Sequence, residues 1–321
     1  MRILAAALAV AAGPALGDAP SLSLPVDCVL GETCFLQQTV DADPGPGASD
    51  HLCGHLTYDG HEGSDFRAAP GVAVPVVAVA DGRVLRVRDG EPDRRFAEPL
   101  AVADGRGCGN GVVIAHAGGL ETQVCHLARG SVRVAPGDAV ARGDVLGTVG
   151  ASGIADFPHV ELVVRRDGAV VDPFTGLAPG AGCGRLDAPL WDDAAAEALA
   201  AVERAQILAV GFHDGPLTIA QIEDGETAAP SGGRMEAGRG ALVAYGLAMA
   251  VKAGDVHRIV LTGPGFAMDE RVAMERNRAQ EMRFAGRRLA DGLAPGTYRA
   301  RVEILRGGRV LDAAEAILKV R

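Results

Sequence analysis

Phe157-Pro158-His159-Val160-Glu161-Leu162, continued by Val163-Val164-Arg165, is the stretch on which the reading of the fold turns. Strand side chains repeat every second residue, so His159 and Glu161 face one way while Val160 and Leu162 face the other. One face is polar and the other can pack, as in a strand that covers a core. Outward from it lie short alternating or apolar runs at 74–80, 82–87, 111–116, 121–127, 131–134 and 145–149. Asp81-Gly82, Gly118-Gly119, Pro136-Gly137 and Asp167-Gly168 separate them as turn signals. Residues 51–185 therefore read as an antiparallel β domain.

Two other short elements carry chemistry. In Gly60-His61-Glu62-Gly63-Ser64-Asp65-Phe66 a histidine and an aspartate stand four positions apart beside glycines, so a bent loop can aim both at one cation. Cys125-His126-Leu127 ends an alternating strand. Glu62 is no candidate base, because its place beside His61 says nothing of its direction.

The composition bounds these readings. With 321 residues, 48% of them hydrophobic and 22% charged, the chain can build two domains with sizeable cores. A formal net charge of -10 and the lack of any Lys or Arg run leave no basic surface to gather phosphates, so no nucleic-acid partner is expected. Met1-Arg2, the apolar run 3–12 and the small residues Ala15 and Gly17 have the layout of a secretory signal cleaved after Gly17. That run is too short to span a bilayer. No other stretch is long and charge-free enough, so the expectation is a periplasmic or secreted protein without a membrane span once the signal is removed.

Six cysteines (Cys28, Cys34, Cys53, Cys108, Cys125 and Cys183) suit three disulfides in such a compartment. Cys28 with Cys34 would close a small loop, and Cys108 with Cys125 flank a predicted hairpin. Cys53 and Cys183 would then tie the ends of one domain together, although six cysteines allow fifteen connectivities. No C-x-x-C pair exists, which argues against a cysteine zinc site.

Taken in order, these pieces resemble the lysostaphin-type (LytM-like, glycyl-glycine endopeptidase) zinc metallopeptidases. The matching residues are His61 with Gly63 and Asp65; His126-Leu127; Val134, Gly137, Val140, Gly143, Leu146-Gly147 and Gly150; Pro158-His159; and Arg165, Gly168 and Val171-Asp172-Pro173. The resemblance covers residues 51–175 and says little about 205–321. It implies a barrel-sandwich-like antiparallel peptidase domain, one Zn2+ ion and peptidoglycan peptide as substrate, cut at its cross-links. It also implies His61 and Asp65 as metal ligands and His126 and His159 as catalytic histidines, one a general base and the other a stabiliser of negative charge. Which does which stays open at this point.

The family's third ligand is the second histidine of Pro-His-x-His, and here Glu161 stands in its place. Glutamate can bind zinc. Two carboxylates with one imidazole would neutralise the ion's charge and weaken it as a Lewis acid. Two readings follow: Glu161 as a ligand of an altered site, or a solvated carboxylate in a site that has lost its metal. The second makes the chain a catalytically inactive member that binds peptidoglycan or activates a cell-wall amidase partner. The glycine-spaced hairpin at 134–150 also occurs in lipoyl and biotinyl carriers, but those need a lysine, and the only lysines, Lys252 and Lys319, lie outside the domain.

The remainder divides as an irregular polar leader at 18–50, a linker with a short helix at 186–204 capped by Asp192 or Asp193, and a second β domain at 205–321. Its clearest strand is 297–304, where Tyr298, Ala300, Val302 and Ile304 alternate with charged residues. Further strands are expected at 207–211, 218–222, 241–251, 256–262, 276–284 and 310–320, with 269–288 equally readable as an amphipathic helix. About seven strands, and Pro295-Gly296-Thr297-Tyr298 as the opening of a late one, suit an immunoglobulin-like β-sandwich. His213 and His257 read as surface residues, Trp191 and Phe212 as packed rings, and His51, His55 and His116 are left out of the site.

Overall fold

The computed structural model describes residues 18–96, 98–103, 105–202, 204–215, 217–225, 234–235, 241–288 and 292–321, and it is mainly β. The expected secretory segment, 1–17, lies outside the described residues. Among the described residues no helix is long and apolar enough to cross a membrane.

The first half contributes β1 (Cys34–Gln38), β2 (Ser64–Ala68), β3 (Pro75–Val77), β4 (Gly82–Arg88), β5 (Asn110–Ala115), β6 (Leu120–Leu127), β7 (Ala139–Val140), β8 (Val145–Thr148), β9 (His159–Arg166) and β10 (Ala169–Val170). One antiparallel sheet runs β1-β2-β9-β6-β5-β4-β7, with β10 paired to β9, and β3 pairs with β8 separately. The alternation expected of β9 holds: Val160, Leu162 and Val164 are fully buried and join Phe66, Ile114, Leu120 and Val124 in one core. Each such side chain contributes about 1.5–3 kcal/mol of burial. His159 and Glu161 are turned to the opposite face.

Two expectations fail here. Residues 18–50, expected as an irregular polar leader, supply β1 and bury Leu22, Val26, Phe35 and Val40. The outer edge of β2 would otherwise leave a row of unpaired backbone groups, and β1 covers it. Residues 131–134 form no strand; two backbone amides, those of Ser131 and Arg133, bond to Ala128 and Leu146, without a continuous ladder. All three expected disulfides are present: Cys28–Cys34, Cys53–Cys183 and Cys108–Cys125.

Asp192 caps α1 (Asp193–Ala201), its Oδ1 accepting the Ala195 amide at 2.8 Å. The second half then runs β11 (Gln206–His213), α2 (Ile219–Glu223), β12 (Arg234–Met235), β13 (Ala241–Val251), β14 (Val256–Gly263), β15 (Phe266–Ala273), β16 (Arg278–Arg288), β17 (Gly296–Arg306) and β18 (Arg309–Val320). Sheets β11-β13-β16 and β12-β18-β17-β14-β15 enclose one core, which makes a β-sandwich. On β17 the Tyr298 hydroxyl donates to the Ala294 carbonyl at 3.1 Å, the corner tie that immunoglobulin-like domains use.

The expected strand at 218–222 is instead α2, opened by a reciprocal cap between Thr218 and Gln221. Thr-x-x-Gln carried that signal in the sequence. Residues 269–288 belong to β15 and β16, not to a helix. His257 is buried rather than superficial, in space that Gly246 leaves by having no side chain: a Cβ there would stand 2.8 Å from its Nε2. The two halves meet across a shared apolar cluster of Phe35, Leu56 and Ala69 with Leu208, Ile222, Tyr245 and Met249.

Candidate metal and peptidase site

Register alone brings the acidic pair together. Asp65 on β2 is directly opposite Glu161 on β9, and Glu161 is opposite Cys125 on β6, so these three share a face. His61 enters from the loop before β2, after Gly60 at φ 77°. Gly63 leaves the room that Glu161 occupies, since a Cβ there would lie 2.4 Å from Glu161 Cγ.

His126 needs more than register. A regular strand would turn it away from Cys125 and Glu161. Between the pairs Val112–Val124 and Asn110–Leu127, however, Cys125 and His126 together oppose Gly111 alone, which is a β-bulge. His126 takes φ 64°, a left-handed conformation that costs a non-glycine residue roughly 1–3 kcal/mol. The bulge re-aims its ring onto the site face, where Nε2 lies 3.6 Å from Glu161 Oε2.

The other contacts converge on the same point. His61 Nε2 lies 3.3 Å from Asp65 Oδ1 and 3.6 Å from Glu161 Oε1, and His159 Nε2 lies 3.7 Å from Asp65 Oδ1. The His126 and His159 rings are 4.6 Å apart between centroids. All three histidines turn Nδ1 to a backbone carbonyl: His61 to Thr39 at 2.9 Å, His126 to Ser152 at 2.8 Å and His159 to Phe157 at 2.8 Å. With Nδ1 donating, the neutral ring presents an Nε2 lone pair to the site in each case. A cavity of about 230 Å³ opens over them, with the exposed side chains of Tyr58 and Ile154 at its rim.

Charge shapes the ring states unequally. Burial works against a charged His61, but Asp65 and Glu161 push its pKa up to about 10. Burial likewise opposes the His126 cation, and Glu161 outweighs it, so that pKa is raised. For His159 burial wins over Asp65 and Glu161, holding the pKa down at about 4. Burial opposes ionisation of Glu161, yet His126 and His61 hold its carboxyl well below the usual range.

Residues 59–173 match the profile of peptidase family M23. This stretch is an M23 peptidase domain. Over 129 residues the chain is 33% identical to the DD-carboxypeptidase/endopeptidase Mpg of Neisseria meningitidis serogroup B, across 38% of this chain and 24% of that protein. The Neisseria gonorrhoeae protein of the same name gives the same figures. The chain thus spans about a quarter of the length of the curated relatives it matches. Among solved structures, a variant of the catalytic domain of the prophage-encoded M23 protein EnpA from Enterococcus faecalis is 26% identical, with a TM-score of 0.31, covering 48% of this chain and 94% of that one. A zinc containing peptidase from Vibrio cholerae is 27% identical, with a TM-score of 0.29, covering 44% of this chain and 39% of that one.

Within the M23 domain His61, Asp65 and Glu161 form a candidate three-residue metal site, and the separations from His61 match those of a tetrahedral zinc ion. Ligand bonds of about 2.0–2.1 Å imply donor separations of roughly 3.3–3.5 Å, and the two contacts of His61 Nε2 are 3.3 and 3.6 Å. One donor atom each from His61, Asp65 and Glu161 all lie within 4.8 Å of one another. Asp65 Oδ1 is buried and accepts no hydrogen bond among the described residues, as a waiting ligand atom would.

The histidines left out of the M23 site are engaged elsewhere. His51 stacks on Phe174 at 4.2 Å, His55 faces the Arg278 carbonyl at 3.3 Å, and His116 bonds to Asp81 and Thr122. Trp191 is buried against Phe66 and Phe174, and Phe212 is fully buried in the sandwich. Two site walls escaped the sequence reading: Tyr58, whose ring is 4.5 Å from His61, and Phe157, whose ring is 4.6 Å from His159.

Proposed function

We propose that this chain is an exported zinc metalloendopeptidase that hydrolyses peptide bonds of peptidoglycan cross-links. His61, Asp65 and Glu161 would hold the ion, and His126 and His159 would be the catalytic pair. The orphaned, buried Oδ1 of Asp65, 3.3 Å from His61 Nε2, is the observation that carries this reading. When bound, zinc supplies Lewis-acid polarisation of the scissile carbonyl and a nucleophile at neutral pH. His159, kept neutral by burial, suits the general base, taking a proton at Nε2. His126, favoured as a cation by Glu161, suits the donor toward negative charge developing on the substrate oxygen. The proposed division keeps a peptidase domain at 51–185, to whose sheet residues 18–50 add β1, a linker at 186–204 and a sandwich at 205–321.

A second reading has its own support. Glu161 lies 3.6 Å from each of His61 and His126, so protons on those rings can balance the two carboxylates without a metal. An inactive member that binds peptidoglycan or activates an amidase would be built that way.

Cross-linked peptidoglycan incubated with the chain, with the chelated chain, and with the chelated chain after zinc is restored separates the two. The proposal expects peptide fragments in the first and third incubations. Fragments from a Glu161→His variant alone would establish the inactive reading.

A further inference from the structure

The second domain reaches His159 through Arg67. Arg67 on β2 is directly opposite His159 in the ladder to β9 and is fully buried. Its guanidinium lies 4.8 Å over the Phe157 ring. That ring stands 4.6 Å from His159, and the Phe157 carbonyl accepts the His159 Nδ1 bond at 2.8 Å. Whatever holds Arg67 therefore holds the wall that aims His159.

What holds Arg67 comes largely from the other half of the chain. Nη2 donates to Glu223 Oε1 at 2.5 Å, and Glu223 is the last residue of α2. Nη1 donates to Gln37 Oε1 at 3.3 Å, and Gln37 in turn donates to the Ala279 carbonyl on β16 at 3.1 Å. The neighbouring Asp224 accepts the Phe96 amide at 3.0 Å, so the end of α2 grips the first half at a second point. Packing alone would be served by apolar side chains, which avoid the cost of desolvating a buried ion pair. A guanidinium adds direction: it is planar, it stacks on a ring, and its fork fixes its orientation to a carboxylate.

We infer that Glu223 is a positioning residue for the peptidase site: through Arg67 and Phe157 it fixes the His159 ring, and the site is complete only with both domains present. The inference rests on the proposed reading of His159 as catalytic, and its test includes an arm that does not.

In the full chain, Glu223→Gln keeps the shape but removes the charge, while Arg67→Leu combined with Glu223→Leu restores apolar packing. The nuclear Overhauser contact between the Phe157 and His159 rings is read in each, along with thermal unfolding, kcat and KM. Weakening of the ring contact in both variants is expected, with the double variant as stable as the parent. In both, kcat falls at least about tenfold while KM stays within about twofold. An unchanged ring contact in Glu223→Gln, or full recovery of kcat in the stable double variant, overturns the inference. If the parent chain cleaves nothing, the functional proposal fails and the ring contact alone decides this one.

Discussion

Nε2 of His61 stands 3.3 Å from Oδ1 of Asp65, while the other nitrogen of the same ring is tied to the Thr39 carbonyl. The imidazole is thereby oriented, and the space between its Nε2 and the carboxylate is held either by a proton on the ring or by a metal ion that displaces it. Asp65→Asn keeps the shape and removes the charge. It is expected to weaken zinc binding by at least about 100-fold, measured by competition with a chelator of known affinity.

His126 pays for its aim with a left-handed backbone, φ 64°. Glycine adopts that conformation freely and alanine does not. His126→Gly should therefore be more stable than His126→Ala by about 1 kcal/mol, the reverse of their order in regular strands. Thermal unfolding of the two variants checks this, and both should lose activity by about 10²–10⁴-fold with zinc retained.

His257 predicts acid sensitivity of the sandwich. Its ring is buried, neither nitrogen has a hydrogen-bond partner among the described residues, and burial, aided by Arg283, lowers its pKa from 6.5 to about 4. Between those values the unfolded chain binds the proton and the folded chain does not, so stability falls as pH falls from 6.5 to about 4. The full effect is on the order of 3 kcal/mol. Denaturant unfolding between pH 7 and 4 should show this contribution in the parent chain and lose it in His257→Leu.

The disulfides should stabilise more the longer the loops they close, with the logarithm of loop length. Cys53–Cys183 spans 130 residues and Cys28–Cys34 spans 6. Chain entropy assigns them about 5 and about 2 kcal/mol. Replacing Cys53 and Cys183 together by serine should lower the thermal midpoint more than the same change at Cys28 and Cys34.

Much of the site was legible because it follows from strand periodicity. Once residues 159–165 form a strand, His159 and Glu161 must share a face; Asp65, expected in a bent loop with His61, completes the acidic pair from β2, a strand outside those expected from the sequence. His126 was placed by family position, not by period. The bulge that turns it inward depends on pairing with Gly111, which no local signal in Cys125-His126-Leu127 announces. The same holds for Arg67 and Glu223, 156 positions apart, whose pairing exists only after two domains pack. Strand β1 has no local signal because an edge strand is specified by the edge it covers, whereas α2 carries one in its Thr218–Gln221 cap.

The central claim is that His61, Asp65 and Glu161 together hold a zinc ion. Its most direct test is the zinc content of the purified chain, measured by elemental mass spectrometry beside Glu161→Ala. The account predicts close to one zinc per chain in the parent and a small fraction of that in the variant. A parent chain without zinc after exposure to the ion, or a variant that holds as much as the parent, would contradict it.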